Sequence, residues 1–128
     1  SFEGIQAGFI NLIDSEIYEV YRSTGKPITL AFGYPALSSS ASGCALFGDR
    51  CFNDGLFRLE QIDTLPVDFE QQSLVYNAIF PILASRDWVS GASIRGYEPI
   101  VDIHSGSSAI GGRPASDVIK YWFTNLIP

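Results

Sequence analysis

The stretch that decides the fold is residues 88–99, WVSGASIRGYEP, because it repeats a pattern that residues 26–35, KPITLAFGYP, already show. In both, a short apolar run follows a segment with helical periodicity and ends in Gly-Tyr, with Pro one or two residues later. Short apolar runs of this kind are typical of buried parallel strands. We therefore predict parallel strands over about residues 27–34 and 88–94, each opening into a long loop.

Three segments with helical periodicity alternate with these strands. The predicted helices cover about residues 2–24, 68–86 and 114–125, and the sequence allows a second cap within the first helix near Asp14 or Ser15. Asp68 opens the second helix with Gln71 three residues later, as in a capping box, and Pro114 suits the first position of the third helix. Pro81 lies inside the second helix, so we expect a kink or a split last turn there.

This alternation of helices and parallel strands is typical of a (β/α) barrel, in which the loops after the strands carry the chemistry. A closed barrel has eight strands and typically ~250 residues, whereas the chain has 128. Two parallel strands offer too little sheet to cover three helices. We therefore predict an α/β fold, a partial (β/α)8 (TIM) barrel, in which further strands within the loops or a missing or partner polypeptide complete the sheet. A self-contained small α/β domain of residues 1–128 is the alternative.

The composition is that of a globular, acidic protein. Hydrophobic residues make up 46 % of the chain, charged residues make up 17 %, and the net charge is −6. The 8 basic residues are scattered, which argues against nucleic-acid binding because that requires clustered Lys and Arg. No apolar run approaches the ~20 residues of a membrane span. With a single histidine, His104, the chain contains no multi-histidine metal site, and we predict neither a metal nor a cofactor.

The two cysteines, Cys44 and Cys51, lie in a loop rich in Ser and Gly. We predict that a disulfide closes this loop, which implies an exported protein, extracellular or at the cell surface. Two free thiols in a cytosolic loop are the alternative. The spacing does not match a structural zinc site, and the chain has no second pair of ligands.

Most of the chain resembles a group of bacterial TIM-barrel proteins related to glycoside hydrolases. The resemblance lies in the order and spacing of GKPI (25–28), DFEQQ (68–72), RDWVSG (86–91), RGYEP (95–99), GRPASDVI (112–119) and YWF (121–123). It is weakest over residues 52–65. It implies that the chain is the C-terminal part of a barrel, its last two to three β/α units, with residues 27–34 as strand seven and residues 88–94 as strand eight.

Glycoside hydrolysis usually needs two carboxylates, one as acid and the other as base or nucleophile. The resemblance implies a nucleophilic Glu near the end of strand seven, but residues 29–34 contain no carboxylate. The acid that the resemblance implies belongs to an earlier strand, outside this chain. Glu98, just past the end of strand eight, is our candidate catalytic residue, and Arg95 can pair with it. A solvated loop glutamate is the alternative for Glu98.

Five side chains near the strand ends are candidates for binding substrate. Tyr34 and Tyr97 present a flat apolar face and a hydroxyl, which suit a sugar ring. Arg95 can clamp a carboxylate. Asp102 and His104 lie in the same loop as Asp-x-His. Packing within the loop layer is the alternative for the tyrosines and Arg95, and simple solvent exposure is the alternative for His104.

The sequence therefore predicts a carbohydrate-active, glycoside-hydrolase-like TIM-barrel protein that binds carbohydrate at the strand ends. It leaves hydrolysis open, because strand seven lacks its carboxylate. The alternative is a non-catalytic extracellular protein that binds carbohydrate or serves as a structural subunit of an assembly. The missing carboxylate, the aromatic content of 13 % and the predicted disulfide fit that alternative.

Overall fold

The computed structural model describes residues 1–38, 40–42, 45–47, 50–52 and 66–126. In chain order its elements are α1 (Phe2–Leu12), a π-helical turn (Ile13–Ile17), α2 (Tyr18–Thr24), β1 (Ile28–Phe32), a 3₁₀ turn (Ser40–Ser42), β2 (Ala45–Phe47), β3 (Arg50–Phe52), α3 (Phe69–Ala84), β4 (Val89–Ile94) and α4 (Pro114–Leu126).

Strands β1 and β4 pair in parallel and form a two-stranded sheet. Ile28 pairs with Val89 and Phe32 pairs with Ile94, with an irregularity in the register just after Ile28. The connection between the strands contains α3, because parallel strands need a long crossover that returns the chain to the same edge. This β-α-β unit is the piece from which a (β/α) barrel is built.

The helices cover one side of this sheet. The strand residues that pack against the core are Ile28, Leu30, Phe32, Val89, Ala92 and Ile94. The exposed strand residues are small, namely Thr29, Ala31, Ser90 and Ser93. In a barrel each strand faces the helices on one side and the barrel interior on the other, so the exposed, small-residue side corresponds to the interior.

Helix α3 forms the centre of the core. Tyr76 and Phe80 are fully buried, and their rings lie 5.9 and 6.1 Å from the ring of Phe32 in β1. Phe80 also contacts Trp122 and Phe123 of α4, at 6.4 and 5.6 Å. Aromatic packing on α3 therefore joins the sheet to α4.

The two ends of α3 compare differently with the sequence. Asp68 caps the first turn, because its carboxylate accepts a hydrogen bond of 2.8 Å from the Gln71 N–H, as the capping-box spacing predicts. Pro81 does not split the helix, which continues to Ala84. Pro81 stands in the last turn, where the missing proline N–H removes only one helical hydrogen bond close to the end.

The N-terminal helix, predicted over residues 2–24, is interrupted by the π-helical turn at Ile13–Ile17. The interruption falls where the sequence allows a second cap, but it is a π turn without a side-chain cap. The Tyr18 N–H bonds to the Ile13 carbonyl, five residues back, and Ile13 is fully buried. The turn also presents Asp14 to Arg86, whose guanidinium donates hydrogen bonds of 2.7 and 3.1 Å to its carboxylate. A π turn adds one residue to a helical turn, so the buried face continues on a different set of positions.

The long segment after β1 contains the antiparallel hairpin of β2 and β3, which forms a separate sheet. In the described parts of the loops, no strand extends the β1–β4 sheet. Cys51 belongs to β3, but Cys44 lies outside the described residues, and so does the predicted disulfide. Over the described ranges, no helix combines the length and apolar character that crossing a membrane requires.

Candidate functional site

The segments after β1 and β4 meet at the carboxyl ends of the strands. We call residues 33–38 the β1 loop and residues 95–113 the β4 loop. The Arg95 N–H donates to the Phe32 carbonyl at 2.8 Å, which extends the strand pairing into the loops. Further out, the Ala36 N–H lies 3.0 Å from the Gly106 carbonyl and 3.2 Å from that of Ser107. The two loops therefore form one continuous layer.

Two glycines allow the β4 loop to fold back on itself. Gly96 has φ +93°, and a Cβ there would lie 2.5 Å from the carbonyl oxygen of Ser108. Gly112 has φ +68°, and a Cβ there would lie 2.8 Å from the Val101 side chain. Positive φ values of this kind favour glycine. Both ends of the loop therefore depend on residues without a side chain.

Arg113 holds the β4 loop from below. Its side chain is only 3 % exposed, and its guanidinium donates to the carbonyls of Asp102, Ser105 and Ser107 at 2.9, 3.0 and 2.9 Å. It also lies 4.8 Å from the centre of the Phe69 ring, a favourable cation–π arrangement. One buried cation therefore fixes three successive parts of the loop.

Burial lowers the pKa of Arg113, while the negative charges of Glu98 and Asp102 raise it. The guanidinium stays charged, since an ordinary arginine pKa is far above neutral pH. The negative charges of Glu98 and Asp102, both on the loop surface, thus stabilise the positive charge of the buried Arg113.

Helix α3 holds the β1 loop through two buried side chains. The Gln72 amide donates to the Tyr34 carbonyl at 2.8 Å and to the Ala109 carbonyl at 3.3 Å. The Tyr76 hydroxyl accepts a hydrogen bond of 3.0 Å from the Tyr34 N–H, and burial raises the pKa of Tyr76. Neither Gln72 nor Tyr76 was among the candidate residues, and nor was Arg113.

The Tyr34 ring lies on the helix side of the sheet. It packs against the core cluster and borders a groove that Gly8, Val75 and Ile79 also line. Its hydroxyl accepts a hydrogen bond of 2.9 Å from Ser40. This location matches the packing alternative, and its predicted role in binding substrate stays a prediction.

The other candidate residues lie together on the β4 loop and are exposed. They are Arg95, Tyr97, Glu98, Asp102 and His104, and we call this set the β4 rim. The Tyr97 side chain is 78 % exposed. Ile100, Val101 and Ile103 of the same loop are also exposed, so the rim combines charged groups with apolar surface.

Two pairs of residues in the β4 rim are Asp102 with His104, and Arg95 with Glu98, the pairing that the sequence allows. The Asp102 carboxylate accepts a hydrogen bond of 2.8 Å from the His104 backbone N–H, so Asp-x-His forms a local turn of the kind that Asp favours. Arg95 and Glu98, both in the described part of the chain, form no ion pair. Their charged groups therefore face solvent and can receive a ligand.

The rim provides the groups that recognise a neutral polar ligand: an aromatic face, two carboxylates, a guanidinium and an imidazole. In the described ranges, no three His, Cys, Asp or Glu side chains come together as ligands for a metal ion. These groups can hydrogen-bond to a ligand and stack on it.

Comparisons with known proteins identify the fold. No family model matches the sequence, and no curated protein matches it significantly. Among solved structures, a GH113 beta-1,4-mannanase in a complex is similar over 91 % of this chain and 35 % of its own, with a TM-score of 0.65 and 23 % identity. A GH113 beta-mannanase from Alicyclobacillus acidocaldarius, in complex with ManMIm, is similar over 94 % and 36 %, with a TM-score of 0.68 and 20 % identity.

A third structure, also a GH113 beta-1,4-mannanase, has a TM-score of 0.61 at 22 % identity and covers 90 % of this chain. The chain therefore spans about a third of the length of the solved barrels it matches. Identities this low speak to the fold alone. They confirm the predicted α/β class and partial barrel: the chain has the fold of part of a TIM barrel, like the solved GH113 structures it matches.

Proposed function

We propose that the β4 rim binds carbohydrate, as part of a glycoside-hydrolase-like barrel. The observation that carries this proposal is Tyr97, whose ring is 78 % exposed on a loop that Arg113 fixes at the carboxyl ends of parallel strands. Ligand sites of barrels lie at these strand ends. A tyrosine on a loop whose backbone is held in place offers a sugar ring an apolar face and a hydroxyl, and less backbone entropy is lost on binding.

Arg95, Glu98, Asp102 and His104 supply the polar contacts in this proposal. Sugar hydroxyls both donate and accept, so carboxylates and guanidinium groups around an aromatic platform suit them. The rim carries both positive and negative side chains, so it does not favour a ligand of one charge, and common polysaccharides are uncharged. As first ligands we propose β-1,4-linked mannooligosaccharides, because the solved barrels of similar fold are beta-1,4-mannanases.

Hydrolysis is the second candidate function, with Glu98 as acid or base. Two carboxylates must flank the scissile bond, and the end of β1 supplies none. A second carboxylate would then come from the polypeptide that completes the barrel, as further β/α units or as a partner chain. For this chain we therefore propose carbohydrate binding first, and a non-catalytic extracellular subunit remains the rival role.

The proposed extracellular location depends on Cys44 and Cys51. A disulfide between them requires an oxidising compartment. Intact mass before and after reduction tests it, since reducing one disulfide adds two hydrogens. An unchanged mass would remove the support for export.

Binding to a glycan panel, run beside a chromogenic glycoside assay, tests the proposed function. We expect Tyr97→Ala to weaken binding at least about tenfold, because truncating an aromatic hot-spot side chain costs about 2 kcal/mol or more and about 1.4 kcal/mol is tenfold in affinity. Tyr121→Ala is the matched control, because Tyr121 is another exposed tyrosine, 59 % accessible. It lies on α4, outside the rim. It should leave affinity unchanged.

Turnover that Glu98→Gln abolishes would favour the hydrolase, and binding without turnover would favour the non-catalytic role. Equal affinities for the wild type, Tyr97→Ala and Tyr121→Ala would show that the rim is not the site. Absence of binding to every glycan would contradict the proposed function itself.

A further inference from the structure

Gln72 connects the two loops that frame the proposed site. Its amide nitrogen donates to the Tyr34 carbonyl of the β1 loop at 2.8 Å and to the Ala109 carbonyl of the β4 loop at 3.3 Å. The side chain is fully buried, so water does not compete for these two hydrogen bonds. We propose that Gln72 is a positioning residue that couples the β1 loop to the β4 rim, a proposal that rests on the proposed carbohydrate site.

The same helix holds the other side of the Tyr34 peptide unit. The Tyr34 N–H donates to the Tyr76 hydroxyl at 3.0 Å, and Tyr76 follows Gln72 by one helical turn on the same face of α3. Both backbone polar groups of Tyr34 are therefore bound by α3. The backbone just after β1 is thus hydrogen-bonded to α3 at Tyr34.

Helix α3 also holds the β4 loop near its far end, because the Ala109 carbonyl accepts a hydrogen bond from the Gln72 amide. The next residue, Ile110, donates its N–H to the Gly96 carbonyl at 3.2 Å, and Gly96 precedes Tyr97. The Ala36 N–H of the β1 loop reaches the Gly106 carbonyl at 3.0 Å. The Gln72 amide therefore holds the β1 loop at Tyr34 and the β4 loop, which carries the rim, at Ala109.

The amide is specific for this task because it offers two donors to two carbonyls. Without it, the carbonyls of Tyr34 and Ala109 would each lose the hydrogen bond that holds them to α3. The loops would then separate or admit water, and Tyr97 would no longer be held at one place. Ligand affinity depends on such supporting contacts as well as on the groups that touch the ligand.

Gln72→Met tests the coupling, because methionine has a similar length but donates no hydrogen bond. Amide hydrogen exchange at Ala36 and Ile110 should become at least about tenfold faster, as expected for local opening. Affinity for the best glycan of the panel should fall about tenfold, although Gln72 does not touch the ligand. The side chains of the β4 rim, which are proposed to contact the ligand, are unchanged in this variant.

Ile82→Val is the matched control, since Ile82 is a buried residue of the same helix within the core. It should lower overall stability and leave glycan affinity unchanged. If Gln72→Met and Ile82→Val alter affinity and the exchange of Ala36 and Ile110 to the same extent, Gln72 acts only through stability and the proposal is wrong.

Gln72→Asn serves if Gln72→Met does not fold, because it keeps an amide but is one methylene too short to reach both the Tyr34 and the Ala109 carbonyls. It should speed exchange at Ala36 and Ile110, and unchanged exchange at both would overturn the coupling. If the wild type binds no glycan, the proposed function fails, whereas the exchange measurements still decide whether α3 couples the two loops.

Discussion

At Gly96 the backbone passes so close to Ser108 that there is no room for a side chain. The residue has φ +93°, and an added Cβ would lie 2.5 Å from a backbone oxygen, which cannot move aside like a flexible side chain. We expect Gly96→Ala to lower the free energy of unfolding by about 1–3 kcal/mol, the usual cost of a residue held in a disfavoured backbone region. Urea denaturation measures this.

Gly8 provides the control for that substitution. It lies in α1, and a Cβ there meets no atom within 4 Å. Gly8→Ala should raise the free energy of unfolding by about 0.5–1 kcal/mol, because alanine is the better helix former. Equal effects of the two substitutions would mean that Gly96 does not adopt the conformation described.

The ion pair between Asp14 and Arg86 should make stability depend on pH. Hydrogen bonds from Arg86, more than its charge, lower the pKa of the Asp14 carboxyl from its ordinary value of 3.8. The ionised carboxylate therefore stabilises the folded state above the ordinary carboxyl pKa, and this contribution is lost as pH falls through the lowered pKa.

We expect Asp14→Asn to lower the Tm at neutral pH. Once the pH is below the lowered pKa of Asp14, the Tm of the variant should equal that of the wild type. Thermal unfolding of wild type and variant across the acidic range measures this. A Tm difference that stays constant with pH would contradict the role of the ionised carboxylate.

Single residues were also the hardest features to predict from the sequence. The strand-end position of Tyr97, Glu98 and Arg95 followed from the apolar run before them. Arg113 and Gln72 gave no such signal, because each binds backbone carbonyls and no periodicity or motif reports a hydrogen bond to a distant backbone. Carbonyl partners are set by how the loops fold, which the sequence pattern did not specify.

At the scale of elements, α3 stabilises the fold through one face. Phe80 is fully buried between β1 and α4, whereas Leu74 on the same helix is 38 % exposed. Phe80→Ala should lower the free energy of unfolding by about 3–5 kcal/mol, since it leaves a cavity among aromatic rings. Leu74→Ala should cost less than about 1 kcal/mol.

Chemical denaturation of the two variants separates them. Similar losses for both would mean that α3 is buried on all sides or that its orientation differs from the one described.

Elements were easier to predict than residues, because apolar periodicity extends over ten or more positions. The helix start at Asp68 and the parallel pairing of the two apolar runs could be inferred in this way. The break between α1 and α2 falls where the sequence allows a second cap near Asp14 or Ser15. Its π geometry could not be inferred, since one extra residue shifts the apolar pattern by less than a turn. The split expected at Pro81 did not occur, because the proline stands where little helix remains to be broken.

At the scale of the whole molecule, the described sheet has two strands and one exposed side of small residues. A parallel sheet is normally covered on both sides, and unpaired strand edges promote association. We expect the isolated chain, of 14.0 kDa, to show a native mass at least about twice that value. Light scattering measures it.

A cooperative, strictly monomeric protein would contradict this expectation and would favour the self-contained α/β domain. The partial barrel itself could be inferred from the sequence because helix and strand patterns alternate over a chain too short to close a ring. The missing sheet could not be assigned, since no pattern within the chain specifies what covers its exposed side.

The most direct test of the account is to map a bound glycan on the chain by ¹H–¹⁵N NMR, titrating β-1,4-linked mannooligosaccharides. We predict chemical-shift changes that saturate together at Tyr97, Glu98, Asp102 and His104 on the β4 loop, with smaller changes at Ala36. Changes confined to the other end of the strands, or a titration that leaves the β4 loop unaffected while the glycan binds, would contradict the proposed site.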